Sequence, residues 1–210
     1  MGKGKFYVVW KGREPGIYNR WEDCKAQIDG FPGQVYKSFK TRQLAEQAFG
    51  SESDEFIGKD FFESELTNEQ LKLIGYPIRD SIAVDAAWNT ATGVVEFRGI
   101  STETGEEIFH RGPFDDGTIN MGEFLAIVLA LIYCQREKLN LSIYSDSQTA
   151  ISWVRDKEVR TGHEPNARNK ELFNAISIAL KWLNENSYSN QILKWETRAW
   201  GENPADFGRK

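Results

Sequence analysis

Residues 78–210 carry apolar and polar positions in two different periods. Ser81–Ala87, Val94–Ser101 and Glu106–Arg111 read as three consecutive strands, the last two joined around Thr104-Gly105. Met121–Glu137 predicts a strongly apolar helix, and Leu141–Ser145 a strand. Gln148–Asp156 and Asn169–Asn186 predict two more helices, Gln191–Trp195 a last strand, and Pro204–Arg209 a short terminal helix. A meander of strands followed by alternating helix and strand predicts an α/β fold, with helices covering a mixed sheet.

The first fifty residues form a separate pattern. Lys5–Trp10 and Gly16–Asn19 read as short strands around a turn at Gly12–Gly16. Trp21, Cys24 and Ile28 have helical spacing over Trp21–Asp29, which ends at Gly30. Gln34–Phe39 reads as a third strand, and Thr41 as the N-cap of a helix over Arg42–Phe49. Between the two patterns, Ser51–Pro77 is acidic with a mildly apolar middle (Phe56, Ile57, Phe61, Phe62), and reads as a linker that docks in part. The expected organisation is thus a small domain over 1–50, a linker over 51–77 and a larger domain over 78–210.

Charge sharpens this division. The net charge of −5 is made of +4 over residues 1–50, −5 over 51–77 and −4 over 78–210. A basic front on an acidic body suggests a polyanion-binding module tethered to something else. The longest apolar run, Phe124–Cys134, is well short of the roughly 20 residues that span a bilayer, so no membrane span is expected. The apolar stretch Phe6–Trp10 is too short for a signal peptide, and a cytoplasmic protein is expected. Cys24 and Cys134 have no partners at zinc or redox spacing and read as packed thiols. Neither His110 nor His163 sits in a nucleophile motif, which disfavours histidine-based catalysis.

Carboxylates interrupt apolar segments at four places. Asp85 ends the strand Ile82–Ala87, Asp146 follows Leu141–Ser145, Glu123 opens the apolar helix, and Asp206 lies in the terminal segment. Strand ends are where α/β sheets put ligands. A buried carboxylate costs several kcal/mol unless a cation or donors compensate, and neighbours raise one another's pKa. A divalent metal removes both penalties. Each acid alone has a plain reading as a loop or helix cap, but four together are poorly explained that way.

The segments VDAAWN (84–89), TINMGEFLAI (118–127), YSDSQTAISWV (144–154) and KWETRAWGENPADFGRK (194–210) resemble the catalytic core of type 1 ribonuclease H. Residues 6–41 resemble that family's N-terminal hybrid-binding, or viroplasmin-like, domain. The resemblance implies a ribonuclease H-like mixed five-stranded sheet flanked by helices, preceded by a small α+β hybrid-binding domain. It also implies an endonuclease that hydrolyses the RNA strand of RNA–DNA hybrids, leaving 5′-phosphate and 3′-hydroxyl ends. Two Mg²⁺ ions roughly 4 Å apart, with Mn²⁺ as a substitute, would clamp the scissile phosphate. Asp85 would bridge both ions, and Glu123, Asp146 and Asp206 would complete their shells.

Two departures from the family pattern stand out. No histidine lies between Trp195 and Asp206, so the chain resembles the short-loop subgroup, in which Glu202 would stand near the metals and assist product release. Ile119 occupies a position where that subgroup often has a groove-reading asparagine, so that contact is either lost or supplied elsewhere, with Asn89 the candidate. Other matching positions imply substrate contacts. Asn120 and Gln148 would reach base edges or 2′-hydroxyls, Thr118 and Thr161 a DNA phosphate, Trp153 a DNA sugar, and Thr197 the RNA backbone. For Trp153, core packing beside Ile151 and Val154 is the alternative. In the N-terminal domain Tyr7, Trp21 and Tyr36 would line the hybrid-binding surface, with Lys37 pairing to phosphate.

The expected partner is RNA–DNA hybrid, with double-stranded RNA a second ligand for the N-terminal domain, no membrane, and a monomeric chain. The competing reading is a non-catalytic binder of hybrid or double-stranded RNA on a ribonuclease H-like scaffold. The intact set of four acids disfavours it. A junction resolvase or integrase of the same fold class is disfavoured by the NMGEF and SDSQ segments.

Overall fold

The computed structural model describes residues 5–58, 62, 64 and 66–208. Phe61, Arg209 and part of the acidic connector lie outside the described residues. The chain divides into two compact units, Met1–Glu65 and Leu66–Lys210.

In the first unit, β1 (Phe6–Lys11) is the middle strand of a three-stranded antiparallel sheet, between β2 (Gly16–Tyr18) and β3 (Val35–Phe39). Two helices, α1 (Trp21–Ile28) and α2 (Arg42–Phe49), cover its two faces. Successive strand residues point to opposite faces. Val8 therefore packs with Phe39, Ala45 and Ala48 on the α2 side, and Val9 with Cys24 and Ile28 on the α1 side. Thr41 caps α2 by accepting from the Leu44 N–H at 3.3 Å. A short 3-10 turn over Ser53–Glu55 then brings Phe56 back into the α2-side core.

The second unit opens with α3 (Asn68–Ile74), started by a reciprocal capping box between Thr67 and Gln70. Strands β4 (Ser81–Trp88), β5 (Val95–Ser101) and β6 (Glu107–Phe114) form the meander. Then come α4 (Ile119–Glu137), β7 (Ser142–Ser145), α5 (Gln148–Asp156), α6 (Lys170–Glu185), β8 (Ile192–Lys194) and α7 (Thr197–Trp200). The five-stranded sheet runs β6-β5-β4-β7-β8, antiparallel through β4 and parallel from β4 to β8. This is the expected mixed five-stranded sheet. Ile82, Val84 and Ala86 of β4 face a core built on α4, α5 and α6. Helix α4 is long and apolar enough to cross a membrane by length and composition, and 61% of its most apolar stretch is buried within the fold.

The chain end departs from expectation. No helix forms over residues 204–208; the last helix is α7, before the proline. Two carbonyls that a helix would use are taken by one side chain instead. The Arg98 guanidinium donates to the Ala205 carbonyl at 2.9 Å and to the Asp206 carbonyl at 2.7 Å. Asn203 donates to the Val84 carbonyl and accepts from the Ala205 N–H, so the segment lies as a strap across β4. Ala205 packs there against Ala83 and Ile100.

Candidate functional site

Strands β4 and β7 pair only over Ser81–Ala83 and Ser142–Tyr144. Beyond that point they part, leaving the Ala86 N–H without a strand partner. The Glu123 carboxylate fills the gap, accepting from the Ala86 N–H at 3.2 Å and from the Ser145 hydroxyl at 3.1 Å. It can do so because α4 comes unusually close to the sheet at Gly122. A Cβ there would meet Val95 Cγ1 at 2.6 Å and the Ala86 Cβ at 2.8 Å, so any side chain would push the helix and Glu123 away.

Asp85, Glu123 and Asp146 are thereby brought together, with one carboxylate oxygen from each lying within 4.8 Å of the others. Asp85 and Glu123 are buried, while Asp146 sits at the open rim. Burial pushes the Asp85 carboxyl up to about 6, aided by the charges of Asp146 and Asp206 and opposed by its bond to Glu123. Glu123 is raised well above the usual carboxylate range, first by burial and then by Asp85. Partial desolvation also raises Asp146, against the pull of Lys194 and with Asp206 and Glu202 adding to the rise. Three hard oxygen donors held together against their own repulsion, two of them in low dielectric, fit a divalent oxygen-seeking cation.

Asp206 is held beside the trio by the strap, and it lines an open groove of about 460 Å³ together with Asp85, Trp88, Asn89, Ile119 and Phe207. Arg98 fixes that position. It is opposite Asp85 in the β4–β5 register, bonds the two strap carbonyls, and lies 4.6 Å from the centre of the Phe207 ring. Glu202 is exposed, on the Asp146 side.

The remaining expected contacts are dispersed. Thr118 is the N-cap residue of α4 and Asn120 lies in its first turn, both part-exposed. Gln148 begins α5 in an exposed position, and Thr197 begins α7. The Asn89 side-chain oxygen accepts from the Ala91 and Thr92 N–H groups, shaping the β4–β5 turn. Thr161 accepts from the His163 N–H at 3.1 Å. Trp153 is 5% exposed and packs edge-on against Phe124, so the structure gives it to the core. Its helical register turns it inward with Val154.

In the first unit, Tyr7 and Tyr36 are diagonal neighbours on the α1 face of the sheet, and Trp21 lies 5.4 Å and 6.0 Å from their rings. Trp21 and Tyr36 remain 40% and 37% exposed, more than a core requires. Lys37 points the other way, because it alternates with Tyr36, and its amine donates to the Phe56 carbonyl at 2.7 Å. The expected aromatic surface is thus assembled without Lys37.

Residues 5–49 match the family described as the ribonuclease H1 N-terminal domain. The chain is similar to ribonuclease H proteins over part of its length. It is 50% identical over 48 residues, 23% of the chain, to a ribonuclease H of Saccharomyces cerevisiae. It is 56% identical over 39 residues, 19% of the chain, to one of Crithidia fasciculata, and 43% identical over 44 residues, 21% of the chain, to human ribonuclease H1. The matched segments span 14%, 8% and 15% of those three proteins. A solved ribonuclease H1 of Halobacterium salinarum overlays 55% of this chain and 83% of its own at a TM-score of 0.35 and 18% identity. That score is too low to decide a fold, which rests here on strand order and register.

Three structural contributors were not evident in the sequence. Ser145 orients Glu123, and its place in the Tyr144–Ser147 segment beside Asp146 is a local signal for it. Arg98 and Lys194 act on the acids from strands whose positions only the folded sheet reveals.

Proposed function

We propose that the chain is a metal-dependent endonuclease that cuts the RNA strand of RNA–DNA hybrids. The observation that carries this reading is the convergence of Asp85, Glu123 and Asp146 at the parted ends of two parallel strands, beside a groove that also holds Asp206. The likeness of residues 5–49 to the ribonuclease H1 N-terminal domain supports hybrid as the ligand. Asp85, Glu123, Asp146 and Asp206 would hold two Mg²⁺ ions. When bound, such ions supply a Lewis acid at the scissile phosphate and lower the pKa of attacking water, leaving 5′-phosphate and 3′-hydroxyl ends.

The chain's own residues orient the reaction. The Ser145 hydroxyl and the Ala86 N–H fix the Glu123 carboxylate, so its donor oxygens are set before substrate arrives. Arg98 keeps the strap, and with it Asp206, on the Asp85 side. Asn120 and Gln148 reach base edges or the 2′-hydroxyls that distinguish the RNA strand, and Thr197 lies near the RNA backbone. Thr118 and Thr161 hold a DNA phosphate, Asn89 contributes at the groove mouth, and Glu202 assists release at the rim. The domain over 1–50 raises the local concentration of hybrid at an acidic catalytic body.

Trp21→Ala in the full chain is expected to weaken hybrid binding about tenfold, the scale of one lost aromatic stacking partner, while leaving kcat unchanged. Fluorescence anisotropy with a labelled hybrid measures it. An unchanged Kd would make Tyr7, Trp21 and Tyr36 mere packing. The nuclease reading itself is tested by cleavage of a labelled hybrid by the wild type and by Asp146→Asn, with Mg²⁺, Mn²⁺ or EDTA.

A further inference from the structure

The segment before α4 contains a carboxylate with no part in the acidic site. Asp116 has φ +51°, a left-handed conformation that a non-glycine residue keeps only where the surroundings impose it. Its neighbours impose it here. Gly117 donates to the Gly93 carbonyl at 2.8 Å, and a Cβ on Gly117 would meet Leu172 Cδ2 at 2.5 Å and Val95 Cγ2 at 2.8 Å, so the backbone is wedged between β5 and α6.

The Asp116 side chain reaches a loop some fifty residues further along. One oxygen accepts from the Asn166 amide at 2.6 Å and from the Asn169 amide at 3.4 Å, and the other meets His163 Nε2 at 3.3 Å. Asn169 is fully buried, and its side chain also accepts from the Asn166 N–H at 2.7 Å and donates to the Glu164 carbonyl. Arg168 ties the same loop to the Thr92 carbonyl. Residues 161–169 form no helix or strand, so these bonds, centred on Asp116, give the segment its shape.

Thr118 follows Asp116 by two residues, and Thr161 is tied to His163 by the hydrogen bond from the His163 N–H. One side chain therefore joins the two threonines assigned to the DNA strand. We propose that Asp116 is a positioning residue that clamps the Thr161 segment onto the α4 start, so that Thr118 and Thr161 grip one DNA-strand phosphate from two sides. This rests on the hybrid-nuclease reading. Asp116 touches neither substrate nor the reacting atoms; it acts through the two threonines.

The test uses the full chain and hybrids that each carry one methylphosphonate at a different position of the DNA strand. In the wild type one position is expected to raise KM about tenfold with kcat unchanged, the mark of a lost ground-state contact. Asp116→Ala should show that higher KM on the unmodified hybrid, with no further penalty from the methylphosphonate. Asp116→Asn, which keeps an acceptor oxygen, should recover most of the loss. The same panel is read by anisotropy in EDTA, so the clamp is decided even if the wild type cuts no hybrid, an outcome that would sink only the nuclease reading. A methylphosphonate penalty persisting in Asp116→Ala, by either readout, would overturn the proposal. So would a fall in kcat alone.

Discussion

Asp85→Asn is expected to lower hybrid cleavage at least about 10³-fold, the scale of losing a central metal-binding group, and at the same time to stabilise the metal-free protein at pH 7. The two effects share one cause. Asp85 is buried beside Glu123 and feels Asp146 and Asp206, which lifts its carboxyl from 3.8 to about 6. The folded state therefore binds more protons than the unfolded state between those values, and stability falls as pH rises through that window. Below about pH 4 the carboxyl is protonated in both states and the penalty is absent; above about pH 6 it is complete. At pH 7 asparagine removes a cost of about 1–3 kcal/mol, worth a few degrees in Tm for a unit of this size. Thermal melts in EDTA at pH 7 and pH 4 measure it. The variant should melt higher than wild type at pH 7, and the gain should vanish at pH 4. Mg²⁺ should raise the wild-type Tm and leave the variant's little changed. A variant that melts lower at both pH values would mean that Asp85 is held by structural hydrogen bonds instead of strained for a cation.

Removing residues 203–210 is expected to abolish cleavage while hybrid binding by the N-terminal unit survives. The deletion takes away Asp206, the Asn203 bond to the Val84 carbonyl and both Arg98 acceptors. It uncovers Ala83 and Ile100, small losses of apolar contact that should cost only about 1–2 kcal/mol, since the main core lies on the other sheet face. Circular dichroism should show a folded protein, cleavage should fall at least about 10³-fold, and Asp206→Asn should reproduce the loss without the destabilisation. Activity retained by the truncated protein would remove the strap from the site and leave Asp85, Glu123 and Asp146 to act alone.

Local signals account for what the sequence made legible. Thr41 and Ser147 cap α2 and α5 with their side chains, and those helices span the residues that the pattern predicts. A reciprocal capping box between Thr67 and Gln70 starts α3 inside the stretch that its acidity marks as linker. Strand β6 runs on to Phe114 through Gly112 and Pro113, which an edge strand tolerates. The terminal helix failed because Pro204 is a local signal and Arg98, more than a hundred residues away, is not. The acids Asp85, Glu123 and Asp146 were legible because each interrupts an apolar segment. Which face Lys37 takes, how Trp153 is buried, and the Asp116 bridge all depend on packing between distant elements, and no short segment encodes them.

The measurement that bears most directly on the central claim is cleavage of a strand-labelled RNA–DNA hybrid by the wild type and Asp146→Asn, each with Mg²⁺, Mn²⁺ or EDTA. The account predicts cutting of the RNA strand alone, dependent on the metal and absent in the variant, with hybrid binding unchanged between the two proteins. Hybrid that stays intact under every condition while remaining bound would contradict it, and would make the chain a binder built on a nuclease scaffold.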